Sequence, residues 1–559
     1  MDDKNEIISS HIFVFPFRWD YISNGEFLYS SINKRLSVDK IAEILLEEKT
    51  WEEEKLEIDN DDQYNKYTYF YDNVRDAIYG RDNVRNVKKE IICELKRRIL
   101  FLGEIIKKKT KNRIVRCFKY DKLNDNSTYN IKICKKEKPY LLNIKAIKLK
   151  IYDTGVGALS FFLENYKYSL PEDILNINDY GRRIYPQYLP LKDVKNSFLA
   201  EKITLNLSTN KYDEEFTYDA KACPNRISDV IMKLLGNKFN YNKKALKKGQ
   251  VFIAPIIDDR MFTLCIYRDN FMSQLITKGC ENNYLNSRFW YEYVFIDHDD
   301  PTCHDEKMYR KLVEKSTYTR WKDCGTLYGI SRYSFVVIVN ESDFGLNVLF
   351  KHFENMYYEM ALLALIERAS ILRLSDEASK IAALDEEEAL QNIKKLQRYY
   401  VEFINDLYFR EVTAQEQGIE MFNKLVEMME IERDVKRLGD EIEGIQKYTS
   451  MISNERISTL LRIITYIGLI FTACTFAIKV FGTKFVPMRK WNFNLIGHEF
   501  NLWFVQRLMI GVGFIGIIIF IFEKLIKTEH MNMAKKIFWT IFLIILIIFI
   551  CLDIVFKII

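Results

Sequence analysis

Three apolar segments near the C-terminus constrain this chain more than any other feature. They run from about Ile457 to Phe481, Leu502 to Phe522 and Ile537 to Phe556. Each reaches the ~20 residues that cross ~30 Å of hydrocarbon, and Ile537 to Leu552 carries no charge. They predict a helical transmembrane bundle with three spans over 456–559. Gly511, Gly513 and Gly516 in the second segment permit close helix contact. The first segment carries a polar stripe. Ser458, Thr465, Gly468, Thr472 and Thr475 recur at helical spacing, and Lys479 closes the series. A lipid anchor has no need of a hydroxyl track, whereas a helix lining a water-filled path does. The competing use of such hydroxyls is a hydrogen bond back to the carbonyl four residues earlier.

Upstream, the texture divides near Leu346. No proline occurs between Pro301 and Pro487, and the stretch from Leu346 to Glu455 is rich in Leu, Glu, Lys, Met and Ala, all good helix formers. Met428, Ile431, Val435, Leu438, Ile442, Ile445 and Ile452 follow 3,4 spacing, with Thr449 filling one seam position. This predicts a helical stalk over 341–455 that continues into the first apolar segment. A helix of about fifty residues would reach roughly 75 Å. The competing arrangement is an antiparallel hairpin broken near Gly418 or Gly439.

Residues 1–340 mix strand and helix signals and predict an α/β (α+β) ligand-sensing domain. Strands are expected at His11–Phe17, Arg113–Tyr120, Leu141–Tyr152, Val251–Ile257, Met261–Tyr267, Trp290–Ile296 and Tyr333–Val339. Amphipathic helices are expected at Val38–Glu48 and Asn86–Lys107. Lys+Arg 82 against Asp+Glu 77 is too balanced to argue for direct nucleic-acid binding. The scattered cysteines form no CxxC pair and read as reduced thiols. The acidic, polar N-terminus predicts no signal peptide. The expected location is therefore the inner membrane, multi-pass, with the N-terminal domain cytoplasmic and the C-terminus outside. Basic residues in both connectors leave the positive-inside rule undecided.

The stretch from Ile470 to Phe485, followed by Val486-Pro-Met-Arg-Lys-Trp491, resembles the pore helix and outer loop of the CorA divalent-cation channels. Their turn is Tyr-Gly-Met-Asn-Phe-like. Here it reads Phe481-Gly-Thr-Lys-Phe485, with Gly482 matching and Thr483 and Lys484 replacing Met and Asn. The resemblance implies a homo-oligomer, a pentamer, around the first apolar helix in a lipid bilayer. It implies pore-lining places at Ser458, Ile464, Thr472 and Thr475, with Ile464 as an apolar gate; the polar stripe adds Thr465, Gly468 and Lys479 to the expected lining, and the outer turn adds Gly482, Thr483 and Lys484. It also implies a divalent cation, magnesium, conducted or regulatory. A ring of lysines at the mouth would repel cations, and the third span departs from the family's two.

Two stretches in the N-terminal region concentrate Gly, Asp, Arg and aromatic residues. One is Tyr152–Asn165 with Asn178–Pro186; the other is Arg320–Phe335. Glycines let a backbone approach phosphate, arginines grip it in a fork, and aromatics stack on a base. Turn chemistry is the competing explanation, and for either stretch alone it is slightly the better one. Both are similar to stretches of the CorA-like proteins found beside type III CRISPR systems. That resemblance implies a signalling nucleotide, an adenylated S-adenosylmethionine, as activating ligand in antiphage defence. The candidate contacts are Asp153, Thr154, Gly155, Asn165, Asp179, Arg182, Arg183, Arg320, Trp321 and Tyr328. The alternatives are a constitutive magnesium transporter, a membrane-tethered nucleotide sensor or scaffold without a pore, and a tethered nucleotide-cleaving enzyme. No catalytic motif is visible, so an enzyme is not expected. The run Asp297-His-Asp-Asp-Pro-Thr-Cys-His-Asp305 gathers metal-ligand types but reads first as a loop.

Overall fold

The computed structural model describes residues 6–21, 38–80, 84–85, 114–134, 136–183, 199–208, 210–215, 227–247, 249–278, 283–298, 301–482, 492–495 and 498–501. Two compact units result, Met1–Thr449 and Ser450–Ile559.

The first unit is built on a 14-stranded mixed sheet. Its main strands are β1 (Ser9–Tyr21), β2 (Val115–Tyr120), β3 (Thr128–Lys132), β4 (Tyr140–Tyr152), β5 (Val156–Asn165), β6 (Lys202–Asn206), β7 (Lys211–Glu215), β8 (Val251–Pro255), β9 (Phe262–Arg268), β10 (Leu327–Ile330) and β11 (Ser334–Val339). The long path runs β7-β6-β3-β4-β5-β1-β9-β11-β10, ending on the short strand Thr317–Tyr318. Most neighbours are antiparallel; β9 and β11 are parallel. The strand β1 lies centrally and is buried on both faces. Ile12 and Val14 join one apolar core. Phe13, Phe15, Phe17 and Trp19 join the other. That two-sided burial is why His11–Phe17 is an unbroken apolar run rather than an alternating one.

Six helices are needed here: α1 (Pro171–Gly181), α2 (Arg288–Phe295), α3 (Tyr358–Ala382), α4 (Glu386–Asp406), α5 (Glu416–Met429) and α6 (Ile431–Gly482). Met360 to Ile366 of α3 is almost uniformly apolar and at most 1 % exposed, as expected of a helix surrounded by protein. It packs across β1 and β5 on one side and against α4 and α5 on the other. The segment expected as a strand at Trp290–Ile296 is instead the helix α2. Ser287 caps it by accepting the Trp290 N–H at 3.2 Å, and Trp290, Tyr293 and Val294 fill a third core with Cys265 and Val336. Aromatic and β-branched content favoured a strand locally; capping and burial decided otherwise. The helix expected at Asn86–Lys107 lies outside the described residues.

The heptad stripe is covered by its own chain. Ile431, Val435, Leu438 and Ile442 are buried in the same core as α3. A Cβ on Gly439 would stand 2.8 Å from the Tyr400 hydroxyl of α4. The first unit therefore reaches Thr449, past the expected boundary at 340. Gly418 and Gly439 both lie inside helices. The helices are interrupted at 383–385, at 407–415 just before Gly418, and at Glu430, between α5 and α6, where φ is +56°.

The expected three-span bundle needs correction. Among the described residues no helix is long and apolar enough to cross a membrane. The helix α6 has 52 residues, yet the part of its apolar segment with described side chains ends at Thr472 and contains Arg462. The second and third segments, 502–522 and 537–556, lie outside the described residues. The described residues therefore do not form the expected transmembrane bundle, and no span among them fits a multi-pass inner-membrane location.

Candidate functional site

The helix α1 ends hard against the sheet. A Cβ on Gly181 would lie 2.8 Å from both Ile131 and Phe13, so only glycine lets this turn approach so closely. The next two residues, Arg182 and Arg183, are thereby carried inward and are 2 % and 7 % exposed. A backbone bridge pairs Arg183 with Arg260, in the loop between β8 and β9, and the Met261 N–H donates to the Arg182 carbonyl at 2.8 Å.

Three arginines and three aspartates meet here. Arg182 donates from Nη2 to Asp179 Oδ1 at 3.3 Å and to the Ile296 carbonyl at 3.0 Å. Ile296 follows α2 in the left-handed region, φ +50°, an uncommon conformation for a β-branched residue. Arg183 Nη1 donates to Asp259 Oδ2 at 3.0 Å. Arg260 grips Asp258 Oδ2 through Nε and Nη2, at 2.9 and 2.6 Å. Its guanidinium lies 5.2 Å from the Tyr333 ring centroid, and Arg368 of α3 lies 5.5 Å from the same ring.

A guanidinium has five N–H donors. Arg182 Nε and Nη1 are buried with no hydrogen-bond partner among the described residues. Burial lowers the Arg182 pKa to about 10; Asp179 opposes that shift, and Arg183 and Arg260 add to it. The group stays charged at neutral pH. Burial and the Asp258 side chain raise Asp259 to about 6, against the pull of Arg183 and Arg260. The cluster thus holds a desolvated cation with spare donors, which is the equipment for gripping a phosphate or carboxylate.

Of the residues expected from sequence, Asp179, Arg182 and Arg183 meet in this cluster. Asn165 reaches its helix through a buried relay. Its Nδ2 donates to Ser9 Oγ at 2.9 Å, Ser9 Oγ lies 2.9 Å from His11 Nε2, and His11 Nδ1 lies 2.7 Å from Asn178 Oδ1. These are the spacings of a Ser-His-Asn triad, which residues 167 apart in sequence concealed. All three side chains are at most 1 % exposed. Burial lowers His11 to about 4, against the Asn178 hydrogen bond.

The remaining expected contacts lie away from this cluster. Asp153, Thr154 and Gly155 form the turn between β4 and β5. Thr154 accepts from Ser370 at 2.9 Å. Arg373 of α3 donates to the Gly155 carbonyl, to the Trp19 carbonyl at 2.8 Å and to Asp20 at 2.7 Å. Arg320 pairs with Glu420 at 2.6 Å. Trp321 is 41 % exposed, whereas Tyr328 is core. Sequence reasoning missed Asp258, Asp259, Arg260, Tyr333 and Arg368. A charged Asp-Asp-Arg triple between two apolar strands was the available signal.

On α6, Ile464 is exposed, as are Thr465 and Thr472. Their hydroxyls donate back to the Leu461 and Gly468 carbonyls at 2.7 and 2.8 Å. Ser458 and Thr465 line a shallow groove with Arg462 and Tyr466. A Cβ on Gly468 would meet nothing within 4 Å among the described residues. Thr475, Lys479 and Gly482 fall in the helix, but their side chains lie outside the described residues, as do Thr483 and Lys484 altogether. Asp297 accepts from Thr302 at 2.8 Å and Asp305 caps the next helix. Among the described residues no cluster of three His, Cys, Asp or Glu could hold a metal ion.

No family model matches the chain, and no curated protein or solved structure does.

Proposed function

We propose that this chain senses a small anionic ligand of the nucleotide class, held by its phosphate on Arg182, Arg183 and Arg260. The observation that carries this reading is the buried Arg182 guanidinium, with two nitrogens lacking a partner among the described residues. A buried donor without an acceptor costs ~1–3 kcal/mol, and a phosphate oxygen would recover it. Tyr333 lies beside the cluster, with the Arg260 and Arg368 guanidiniums over its ring. Adenylated S-adenosylmethionine heads the candidates, from the resemblance described above. The output would be the helix α6, whose first turns pack in the same unit as the site.

Differential scanning fluorimetry of the full chain tests this with adenylated S-adenosylmethionine, ADP, adenosine and inorganic phosphate. A ligand at 100 times its Kd contributes ~2.7 kcal/mol, so a phosphate-bearing ligand should raise Tm by several degrees. The rise should disappear in Arg182→Lys, and adenosine should give none. Absence of any shift with all four probes at millimolar concentration would overturn the reading.

A further inference from the structure

The hairpin joining β10 to β11 touches the arginine cluster on one side and the start of the long helix on the other. Its tip is Ser331-Arg332-Tyr333. Ser331 N–H donates to the Ser334 carbonyl at 2.9 Å, and the Tyr333 carbonyl accepts from Thr263 N–H at 3.0 Å. The tip backbone is thus fixed to the sheet next to Arg260. Arg260 and Arg368 both lie over the Tyr333 ring, 5.2 and 5.5 Å from its centroid. The Arg332 carbonyl accepts from Arg368 Nη1 at 2.9 Å. The Arg332 side chain leaves in the other direction and forms an ion pair with Glu430.

Glu430 occupies an unusual position. It is the single residue between α5 and α6, and its backbone is left-handed at φ +56°. Glutamate adopts that region at a cost, so surrounding contacts must hold it there. Two cations do so, Arg332 and, at 2.6 Å, Arg433 in the first turn of α6. The Glu430 carbonyl also accepts the Asp434 N–H at 3.1 Å, starting the α6 hydrogen-bond ladder.

We propose that the Arg332–Glu430 pair is a latch that reports the state of the arginine cluster to the root of α6, a step that rests on the anion-sensing reading above. An anion taken by Arg182 and Arg183 competes with Asp258 for Arg260. As Arg260 turns toward the anion it leaves the Tyr333 ring, and the hairpin tip repacks against Arg368. Arg332 moves with the tip and loosens its hold on Glu430. The strained junction then relaxes, changing how the first turns of α6 sit on α4. Two arrangements of one ion pair, each favoured by one occupancy of the cluster, are what coupling between two places requires.

Hydrogen exchange read by mass spectrometry on the full chain tests the latch, using segment 434–440 as reporter and β9, 262–268, as the internal measure of folding. Without ligand, Arg260→Met should speed exchange in 434–440 at least threefold while β9 is unchanged. Arg260→Lys, which keeps charge but covers the ring less, should give a smaller change in the same direction. In the Glu430→Gln background, where the pair is already broken, Arg260→Met should add nothing. If 434–440 exchanges at the wild-type rate in both Arg260 variants, the latch is wrong. ADP then separates the two claims. A Tm rise with ADP and no change in 434–440 would sink the latch and leave the anion site standing. No Tm rise together with the Arg260 effect would sink the anion site and leave the mechanical link.

Discussion

Two buried charge clusters in the first unit look alike in composition and differ in completion. Between the sheet and α3, Lys150 Nζ donates to Glu359 Oε2 at 2.6 Å and to the Ile78 carbonyl at 2.8 Å. The two residues are 3 % and 4 % exposed. Burial pulls the Lys150 ammonium down, and Glu359 more than reverses this, so it ends above the ordinary lysine value. Arg182 is buried as deeply, but part of its fork has no partner among the described residues. A closed pair holds elements in place. A buried cation with donors to spare fits the anion site proposed above. Burial alone does not separate the two cases; counting satisfied donors does.

Breaking the closed pair should have the largest effect. Lys150→Met leaves Glu359 buried without its cation and should destabilise the unit by about 3–5 kcal/mol, read from urea denaturation. A result under 1 kcal/mol would mean that the pair is open to water. The next effect is pH-dependent. His11 is held neutral when folded, with a pKa of about 4 against 6.5 for an unfolded histidine. The unfolded chain therefore takes the proton first. The stabilisation is complete above pH 6.5 and is lost as pH falls toward 4, a change of about 3 kcal/mol. His11→Gln should flatten that part of the pH–stability curve.

A smaller loss is expected at the β4–β5 turn. Gly155 has φ +77°, and a Cβ there would overlap the Arg373 guanidinium. Gly155→Ala should cost about 1–3 kcal/mol without altering ligand-induced Tm shifts, since this turn serves packing. Glu367 offers a gain. It is 0 % exposed, and its only described partner is the Phe409 N–H at 3.2 Å. Burial raises its pKa well above the usual value, the Phe409 hydrogen bond opposing. The folded state therefore keeps a proton that the unfolded state releases above about pH 4.5, and stability falls as pH rises. Glu367→Gln should stabilise the protein by about 1–2 kcal/mol at pH 8, with the difference vanishing near pH 4.5 in thermal melts. The open cluster should respond chiefly in binding. Arg182→Lys keeps the buried charge and should cost less than Lys150→Met while removing the Tm response to phosphate-bearing ligands. Equal and large losses at Lys150 and Arg182 would erase the distinction between the clusters.

Much of the sheet was legible. The strands at Leu141–Tyr152, Met261–Tyr267 and Tyr333–Val339 fall within a residue or two of β4, β9 and β11, and His11–Phe17 falls inside β1, which runs four residues further, because apolar, β-branched runs bounded by turn residues leave few alternatives. Trp290–Ile296 was not legible, since aromatic runs suit a buried helix and a buried strand equally. The candidate site was half legible. Asp179, Arg182 and Arg183 stand together in sequence and stayed together. Their partners Asp259, Arg260 and Ile296 come from loops 76 or more residues away, and no local pattern announces such a meeting.

The heptad stripe marks the limit most clearly. Its 3,4 spacing established that Ile431, Val435, Leu438 and Ile442 share one face of a helix, because 3.6 residues per turn allows nothing else. What that face touches was decided by the tertiary structure, which folds α3 and α4 against it. Periodicity records that a surface is buried; only the path of the rest of the chain determines what buries it.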